Sequence, residues 1–186
     1  MIFFLSDPHF SHEAIIHYCN RPFANVAEMN ETLIKNWNEC VGPHDTIFVL
    51  GDLTLSSYNE FFPIAQRLNG IKFLIKGNHD KFSEGQYKKL GFTVFHELKM
   101  KLFGKIVRMS HYPYAYPWYK RPFAFKSELR FMEHRPPRIP GELLFHGHSH
   151  SKKKRIGNMY HVGVDAWNFR PVSLSELESF ISKPVL

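Results

Sequence analysis

The chain has 186 residues, with 24 lysines and arginines against 17 aspartates and glutamates, so its formal net charge is +7. This length predicts a single domain over residues 1–186, and no apolar run approaches the roughly 20 residues that cross a bilayer, so no membrane partner is expected. The two cysteines, Cys19 and Cys40, favour a cytoplasmic protein over a disulfide scaffold, and the positive charge favours anionic partners, although it can equally serve solubility alone.

Apolar periodicity predicts alternating strands and helices over the first 75 residues. Strands are expected at 2–5, 46–50 and 71–75, and helices at 13–18, 25–40 and 58–68. Asn25 is the expected N-cap of the helix over 25–40, with Glu28 at the capping-box position. Because the strands are connected through helices, they are expected to run parallel.

The pattern changes after a helix predicted at 83–90. Short strands separated by glycine and similar breaks are expected at 92–95, 98–103, 105–109, 143–145 and 159–164. Hairpins in this half, added to the parallel strands of the first half, predict an α/β fold, and the pattern alone does not specify its layers. Residues 112–140 combine aromatic residues with prolines, which excludes long regular elements until a helix at about 126–133.

Polar residues directly follow five predicted strands. Gly77-Asn78-His79-Asp80 follows 71–75, and the others are Asp7 and His9 after 2–5, Asp52 after 46–50, His111 after 106–110, and His148 and His150 after 143–145. Side chains at the same end of neighbouring strands converge in one crevice of an open α/β sheet. The sequence therefore predicts one site with seven oxygen or nitrogen ligands.

The ordered set Asp-x-His, Gly-Asp, Gly-Asn-His-Asp, His and Gly-His-x-His spans positions 7–150 and resembles the calcineurin-like metallophosphoesterase superfamily. The start of the chain, at residues 6–12 and 18–23, is most similar to that of the small single-domain bacterial and phage members of this superfamily. This resemblance implies a four-layer α/β/β/α sandwich with two mixed β-sheets flanked by helices. Pro8 departs from the Thr or Ser that the superfamily usually has, and a loop position between two ligands tolerates proline.

By resemblance, two divalent ions bind at these positions and are bridged by Asp52. One ion would be held by Asp7, His9, Asp52 and His150, and the other by Asp52, Asn78, His111 and His148. Carboxylates, imidazoles and an amide oxygen suit Mn²⁺, Fe²⁺ or Zn²⁺, with Mn²⁺ favoured. Ions about 3.5–4 Å apart can share a hydroxide that attacks a phosphoryl group in line.

Four further residues lie within or close to these motifs in the sequence. His79 matches the superfamily's acid that protonates the leaving oxygen, and Asp80 is a candidate to orient it. His12 and Arg21 follow the first motif, where they are either substrate contacts or ordinary residues of a helix face. The remaining histidines have no such support.

The expected substrate is a phosphate ester, and a nucleotide-type phosphodiester is favoured over a monoester. Aromatic residues between Tyr112 and Phe125 can stack on a base or simply pack onto the core, and the cations at 152–155 can attract phosphate or merely be solvated. The chain is too small for a separate nucleic-acid-binding domain, so no stable nucleic-acid complex is expected. The alternatives are a phosphomonoesterase, an inactive metal- or nucleic-acid-binding module and a regulatory partner protein. The oligomeric state and the substrate-binding residues stay open.

Overall fold

The structure of the chain is a computed structural model, which describes residues 1–115 and 130–182. A first sheet has the order β10-β1-β2-β3-β4. It consists of β1 (Ile2–Leu5), β2 (Thr46–Val49), β3 (Ile71–Ile75), β4 (Phe92–Phe95) and β10 (Val172–Ser173). β1 to β4 are parallel and β10 is antiparallel to β1, so the four parallel strands end at the same edge.

A second sheet has the order β5-β6-β7-β9-β8. Its strands are β5 (Leu98–Leu102), β6 (Lys105–Met109), β7 (Leu143–His146), β8 (Arg155–Ile156) and β9 (Met159–His161). β6, β7 and β9 are parallel, whereas β5 and β8 are antiparallel edge strands. Both sheets are therefore mixed, and the predicted sandwich fold is confirmed.

Five α-helices accompany the sheets in the described residues. They are α1 (Glu13–Tyr18), α2 (Val26–Cys40), α3 (Tyr58–Ala65), α4 (Glu84–Lys89) and α5 (Leu174–Ile181). None of these helices is long and apolar enough to cross a membrane. Asn25 caps α2 as predicted, but the Glu28 carboxylate accepts from the amide of Ala24, so the reciprocal capping box is absent.

Two apolar clusters lie on opposite faces of the first sheet. On one face, Phe3 belongs to the same buried cluster as Leu33 and Trp37 of α2. On the other face, Phe4 of β1 meets Phe145 of β7 edge-on, with their ring centroids 5.1 Å apart, and this cluster joins the two sheets. Burial of each large apolar side chain contributes about 1.5–3 kcal/mol. The joined sheets bring the ends of β1 and β7 together.

Several predicted boundaries differ from those observed. The helix predicted at 58–68 ends at Ala65, two residues after Pro63, and the strand predicted at 159–164 ends at His161. The helix predicted at 126–133 lies mostly outside the described residues, and its described end enters a 3₁₀ turn at Met132–His134. β8, β10 and α5 were not predicted. Cys19 and Cys40 are free thiols.

Candidate metal centre

The loops after β1, β2, β3, β6 and β7 bring all seven predicted ligands into one cluster. Two groups can each place one ligand atom per residue within 4.8 Å of the others: Asp7, His9 and His150, and Asp52, His111 and His148. The carboxylate of Asp52 lies between the groups, because its Oδ2 is 3.5 Å from His9 Nε2 and 3.5 Å from His111 Nε2. One oxygen atom thus faces both groups.

Two further candidate ligand atoms lie close to one ring nitrogen of His111. The Nδ1–H of His111 donates to the carbonyl of Leu50 at 2.8 Å, which leaves Nε2 without a proton in the neutral ring. That nitrogen is 3.2 Å from Asn78 Oδ1 and 3.2 Å from His148 Nδ1. The three atoms are close enough together to hold one cation. Asn78, which offers a neutral amide oxygen, therefore lies with the group of Asp52, His111 and His148.

The protonation states of three histidines in the cluster also fit a bound cation, whereas at His150 burial is outweighed by interactions that include the hydrogen bond to Asp165 and raise the pKa to about 10. Burial lowers the pKa of His9 and of His111 well below the usual range, and burial lowers that of His148 to about 3. Neutral imidazoles offer lone pairs to metals. Burial also raises the pKa of Asp7 to about 6 and, with the nearby charge of Asp7, that of Asp52 to about 8. Divalent ions would compensate these crowded, buried carboxylates.

One ring nitrogen supports this fit independently. His9 Nε2 is buried and finds no hydrogen-bond partner among the described residues. A buried polar atom without a partner costs about 1–3 kcal/mol. A metal ion at this nitrogen would remove that cost.

The backbone is strained where the ligands are attached. Five of the seven residues have left-handed φ angles between 47° and 67°: Asp7, His9, Asp52, His148 and His150. This conformation costs about 1–2 kcal/mol for each residue with a side chain. Such strain concentrates at functional sites, where the surrounding structure holds it in place.

Two residues that directly precede candidate ligands are glycines because there is no room for a side chain. A Cβ on Gly77 would overlap the Asp52 carboxylate, and a Cβ on Gly147 would overlap Ser6 and the carboxylate of Asp7. The φ of Gly77 is not in the left-handed region, so the turn itself does not require a glycine there. Its function is to let the loops after β2 and β3 approach each other.

His79 lies at the centre without joining either group. Its Nε2 is 4.0 Å from Asp52 Oδ2, and its backbone N–H donates to Asp52 Oδ1 at 2.9 Å. The side chain is about 35% exposed, so it can reach a bound molecule. Burial and the charge of Lys81 lower its pKa, which makes the imidazolium a stronger acid, while Asp80 acts in the opposite direction.

The Asp80 carboxylate does not orient His79 as we expected. It accepts hydrogen bonds from the backbone amides of Asp52, Leu53 and Gly77 at 2.8–3.0 Å. Among the residues that the structure describes, none forms a hydrogen bond with the His79 ring. Asp80 instead fastens the loop after β3 to the loop after β2.

The sequence did not predict the positions of Arg21 and Asp165 correctly. Arg21 was assigned another position, and Asp165 was not singled out. Arg21 was a candidate substrate contact, but its side chain is fully buried, and its guanidinium binds the carboxylate of Asp165. That carboxylate in turn accepts from His150 Nδ1 at 3.0 Å. His12 lies beside His9, with the two Nδ1 atoms 3.4 Å apart. No motif marks Asp165, so only the folded chain reveals it.

A cavity of about 670 Å³ opens beside the cluster. Apart from the candidate ligands, its lining includes the apolar or aromatic residues Tyr114, Phe131, Ile156 and Met159 and the cations Arg130 and Arg135. A smaller cavity of about 130 Å³, lined by Ser56, Lys81 and Phe82 among others, lies on another side of His79. His79 contributes to both cavities.

The aromatic segment and the basic loop only partly match their expected functions. Tyr112 and Tyr114 are buried, so they offer little free ring surface, and residues 116–129 lie outside the described part of the chain. In the basic loop, the Lys154 Nζ lies 3.9 Å from the ring centre of Trp167, and the Arg155 guanidinium lies 5.2 Å from that of Tyr160. Only Lys152 and Lys153 are exposed.

Residues 1–152 match the family described as calcineurin-like phosphoesterase. The chain is 30% identical to the gene 66 protein of Mycobacterium phage L5, over 96% of this chain and 93% of that protein. It is 53% identical to an uncharacterised protein of Methanocaldococcus jannaschii over 85 residues, 45% of this chain, and so spans about half (48%) of that relative. A solved protein of unknown function from Aquifex aeolicus has a TM-score of 0.70 and 27% identity, covering 97% of this chain and 98% of that one.

The fold and the family match define a metal-dependent phosphoester hydrolase. The chain belongs to the calcineurin-like phosphoesterase family, as the order of its motifs predicted. Membership implies divalent metal ions, and the two groups of clustered side chains are candidates to hold them.

Proposed function

We propose that the chain is a dinuclear phosphodiesterase in which Asp52 is shared by two divalent ions. Asp7, His9 and His150 would complete the first site, and Asn78, His111 and His148 the second. The observation that carries this proposal is the position of Asp52 Oδ2, 3.5 Å from a histidine nitrogen of each group. The donor set favours Mn²⁺, with Fe²⁺ and Zn²⁺ as alternatives.

When bound, two such ions activate water and neutralise negative charge on a phosphoryl group. The protein's contribution is to hold their ligands in a rigid arrangement. The left-handed backbone at Asp7, His9 and Asp52 turns three side chains into the crevice, and the buried position of the cluster strengthens every electrostatic interaction there. The strained backbone therefore holds the ligand side chains in position before an ion binds.

His79 donates the proton that the leaving oxygen needs. It is held by its backbone N–H on Asp52, lies beside both cavities, and has an exposed ring edge that a substrate can reach. A lowered pKa eases proton transfer in the acid direction. The two histidines whose ring nitrogens lie 3.5 Å from Asp52, His9 and His111, are buried.

A diester fits the surroundings of His79 better than a monoester. A diester carries two organic groups, and His79 is flanked by two cavities of very different size. The large cavity joins apolar Phe131, Ile156 and Met159 to the cations Arg130 and Arg135, which suits a nucleotide-type group. The small cavity would take the smaller group next to Lys81.

The test compares kcat/KM for bis-p-nitrophenyl phosphate and p-nitrophenyl phosphate, followed by a panel of nucleotide diesters. We expect the diester to be preferred and Phe131→Ala to reduce that preference. Phe62→Ala is the matched control, because Phe62 is an exposed ring on α3 that lines neither cavity. A clear preference for the monoester, unchanged by Phe131→Ala, would establish the phosphomonoesterase alternative.

Metal analysis of the same preparation tests the remaining alternatives. Two bound ions with turnover support the dinuclear enzyme. Bound ions without turnover of any ester would indicate a binding module, and the absence of both would indicate a regulatory partner protein. None of the predicted ligands is missing from the cluster, which is what an active enzyme requires.

A further inference from the structure

We infer that Arg21 and Asp165 are positioning residues for the first of the two metal sites, and this inference rests on the proposed dinuclear centre. They touch neither the substrate cavities nor the second group of ligands. Their effect is to fix the ring of His150 and the loop that carries Asp7. Loss of this pair is expected to weaken one metal site selectively.

Asp165 binds two partners at once. It accepts from Arg21 Nε at 2.9 Å and from Arg21 Nη2 at 3.0 Å, and its Oδ2 also accepts from His150 Nδ1 at 3.0 Å. Both side chains of the ion pair are almost completely buried, at 0% and 4% exposure. Because the carboxylate holds the proton of His150 on Nδ1, the lone pair of Nε2 is left for a metal ion.

The rest of the Arg21 guanidinium fastens the loop after β1. Nη2 donates to the carbonyl of Asp7 at 2.8 Å, and Nη1 donates to the carbonyl of Pro8 at 2.9 Å. These carbonyls belong to the turn in which Asp7 and His9 both have left-handed φ angles. The guanidinium therefore stabilises a strained turn, and its donors are used within the protein.

The fold brings Asp165 to this position through backbone pairing at the end of β1. The Ser6 amide donates to the carbonyl of Val162 at 3.0 Å, and the Val164 amide donates to the carbonyl of Ser6 at 2.9 Å. The segment after β9 thus runs beside the start of the Asp7 loop. Asp165 is 144 residues from Arg21 in sequence, yet the two side chains are in direct contact.

Charge explains why both members are needed. A buried arginine beside a cation site would repel the incoming ion, and the Asp165 carboxylate neutralises it. In Asp165→Asn, one amide oxygen cannot serve Arg21 and His150 together. If that oxygen stays on Arg21, the amide NH₂ faces His150 Nδ1 and favours the ring form with its proton on Nε2, the atom meant for the metal.

The decisive experiment is metal titration of Asp165→Asn with Mn²⁺, read by calorimetry and by electron paramagnetic resonance. Loss of a residue that orients a metal ligand typically lowers metal affinity about 10–100-fold. We therefore expect one Mn²⁺ site to weaken by that factor while the other keeps its wild-type affinity. The spectrum should change from a coupled pair to an isolated ion at subsaturating metal.

Arg21→Lys keeps the charge but loses the planar fork, and it should weaken the same site. Glu176→Gln is the matched control, because Arg170 and Glu176 form another fork-like ion pair, half-exposed and remote from the ligands. Circular dichroism checks that each variant is folded, and Arg21→Lys gives the answer if Asp165→Asn does not fold.

Two outcomes would overturn the inference: both sites retaining wild-type affinity in Asp165→Asn and Arg21→Lys, or both sites weakening equally. These differ from failure of the proposed function itself. That failure would show in the wild-type protein, as fewer than two ions per chain or an uncoupled spectrum at saturation. A wild type with two coupled ions and an unchanged variant therefore rejects only the function assigned to Arg21 and Asp165.

Discussion

The two groups of candidate ligands are supported by different parts of the chain. The group of Asp7, His9 and His150 depends on side chains from distant segments, because Arg21 and Asp165 are separated by 144 residues. The group of Asp52, His111 and His148 depends on a backbone group, since the carbonyl of Leu50, two residues before Asp52 and 61 residues before His111, accepts from His111 Nδ1. The second group should therefore resist substitution of any one supporting side chain better than the first.

This difference also explains why motifs describe one group more completely. Within Gly77-Asn78-His79-Asp80, a ligand and the residue that fastens its loop are two positions apart, because the Asp80 carboxylate binds the amides of Gly77, Asp52 and Leu53. In the first group, the Asp7 carboxylate accepts from the backbone amide of the motif residue His148, but Arg21 and Asp165, which hold His150 and the Asp7 loop, lie outside the motifs. The motifs therefore contain the candidate ligands of both groups but only part of the supports of the first.

The largest effect is expected for Asp52→Asn, because Asp52 is proposed to be shared by the two metal sites, so its loss should weaken both of them. We expect turnover to fall about 10⁴-fold, equivalent to about 5 kcal/mol of lost charge stabilisation. Metal analysis should show weaker binding at both sites. If the variant kept two coupled ions and wild-type turnover, the bridging position assigned to Asp52 would be wrong.

His79→Gln is expected to have the next largest effect and to leave both groups intact. We expect kcat to fall by about 10²-fold or more, as for loss of a general acid, with unchanged metal content. The loss should shrink for p-nitrophenolate, a good leaving group that needs little protonation. His96→Gln, at an exposed histidine between β4 and β5, is the control. An equal loss with p-nitrophenolate and alkoxide leaving groups would argue against an acid at this position.

Asp80→Asn tests the support of the second group, as Asp165→Asn tests that of the first. An amide in place of the carboxylate leaves at least one of three buried backbone N–H groups unpaired, at a cost of about 1–3 kcal/mol. For a chain of this size, the melting temperature should fall by about 3–10 °C. We expect only about a tenfold fall in turnover and a retained first ion. If only the first ion were lost, Asp80 would support the first group and not the second.

Parallel strands and amphipathic helices of the first half could be predicted because each buries a regular apolar pattern. β8 and β10 could not, since two residues show no periodicity. α5 did carry a signal that was missed: Ser173 and Glu176 form a complete capping box before an apolar stripe.

In the site, residue types and strand ends predicted which side chains converge, because parallel strands end at a common edge. The position of Asp165 and the left-handed backbone of five ligands depend on tertiary contacts, which local sequence does not encode. The convergence of the candidate ligands was thus accessible from sequence, whereas the contacts of Arg21 and Asp165 that support them were not.

The smallest effect is expected outside both groups, in the basic loop after His150. All four cations of 152–155 looked equivalent in sequence, but the structure divides them. Lys154 packs on Trp167 with its Nζ 3.9 Å from the ring centre, and Arg155 donates to the carbonyl of Gly157 at 2.9 Å. Only the exposed Lys152 and Lys153 are available to attract an anion over a distance.

Replacing Lys152 and Lys153 together by serine should raise KM about 2–3-fold at low salt and leave kcat unchanged, since exposed charges act weakly and are screened within about 10 Å at 0.1 M salt. The difference should disappear as salt increases. Lys88 and Lys89, an exposed pair at the end of α4, provide the matched control.

Lys154→Met should instead lower the melting temperature without changing the salt dependence of KM, because the ammonium group of Lys154 is used in packing. An identical salt dependence in the wild type and the double variant would show that the loop is merely solvated, and the attraction of substrate would then rest on Arg130 and Arg135 in the cavity wall.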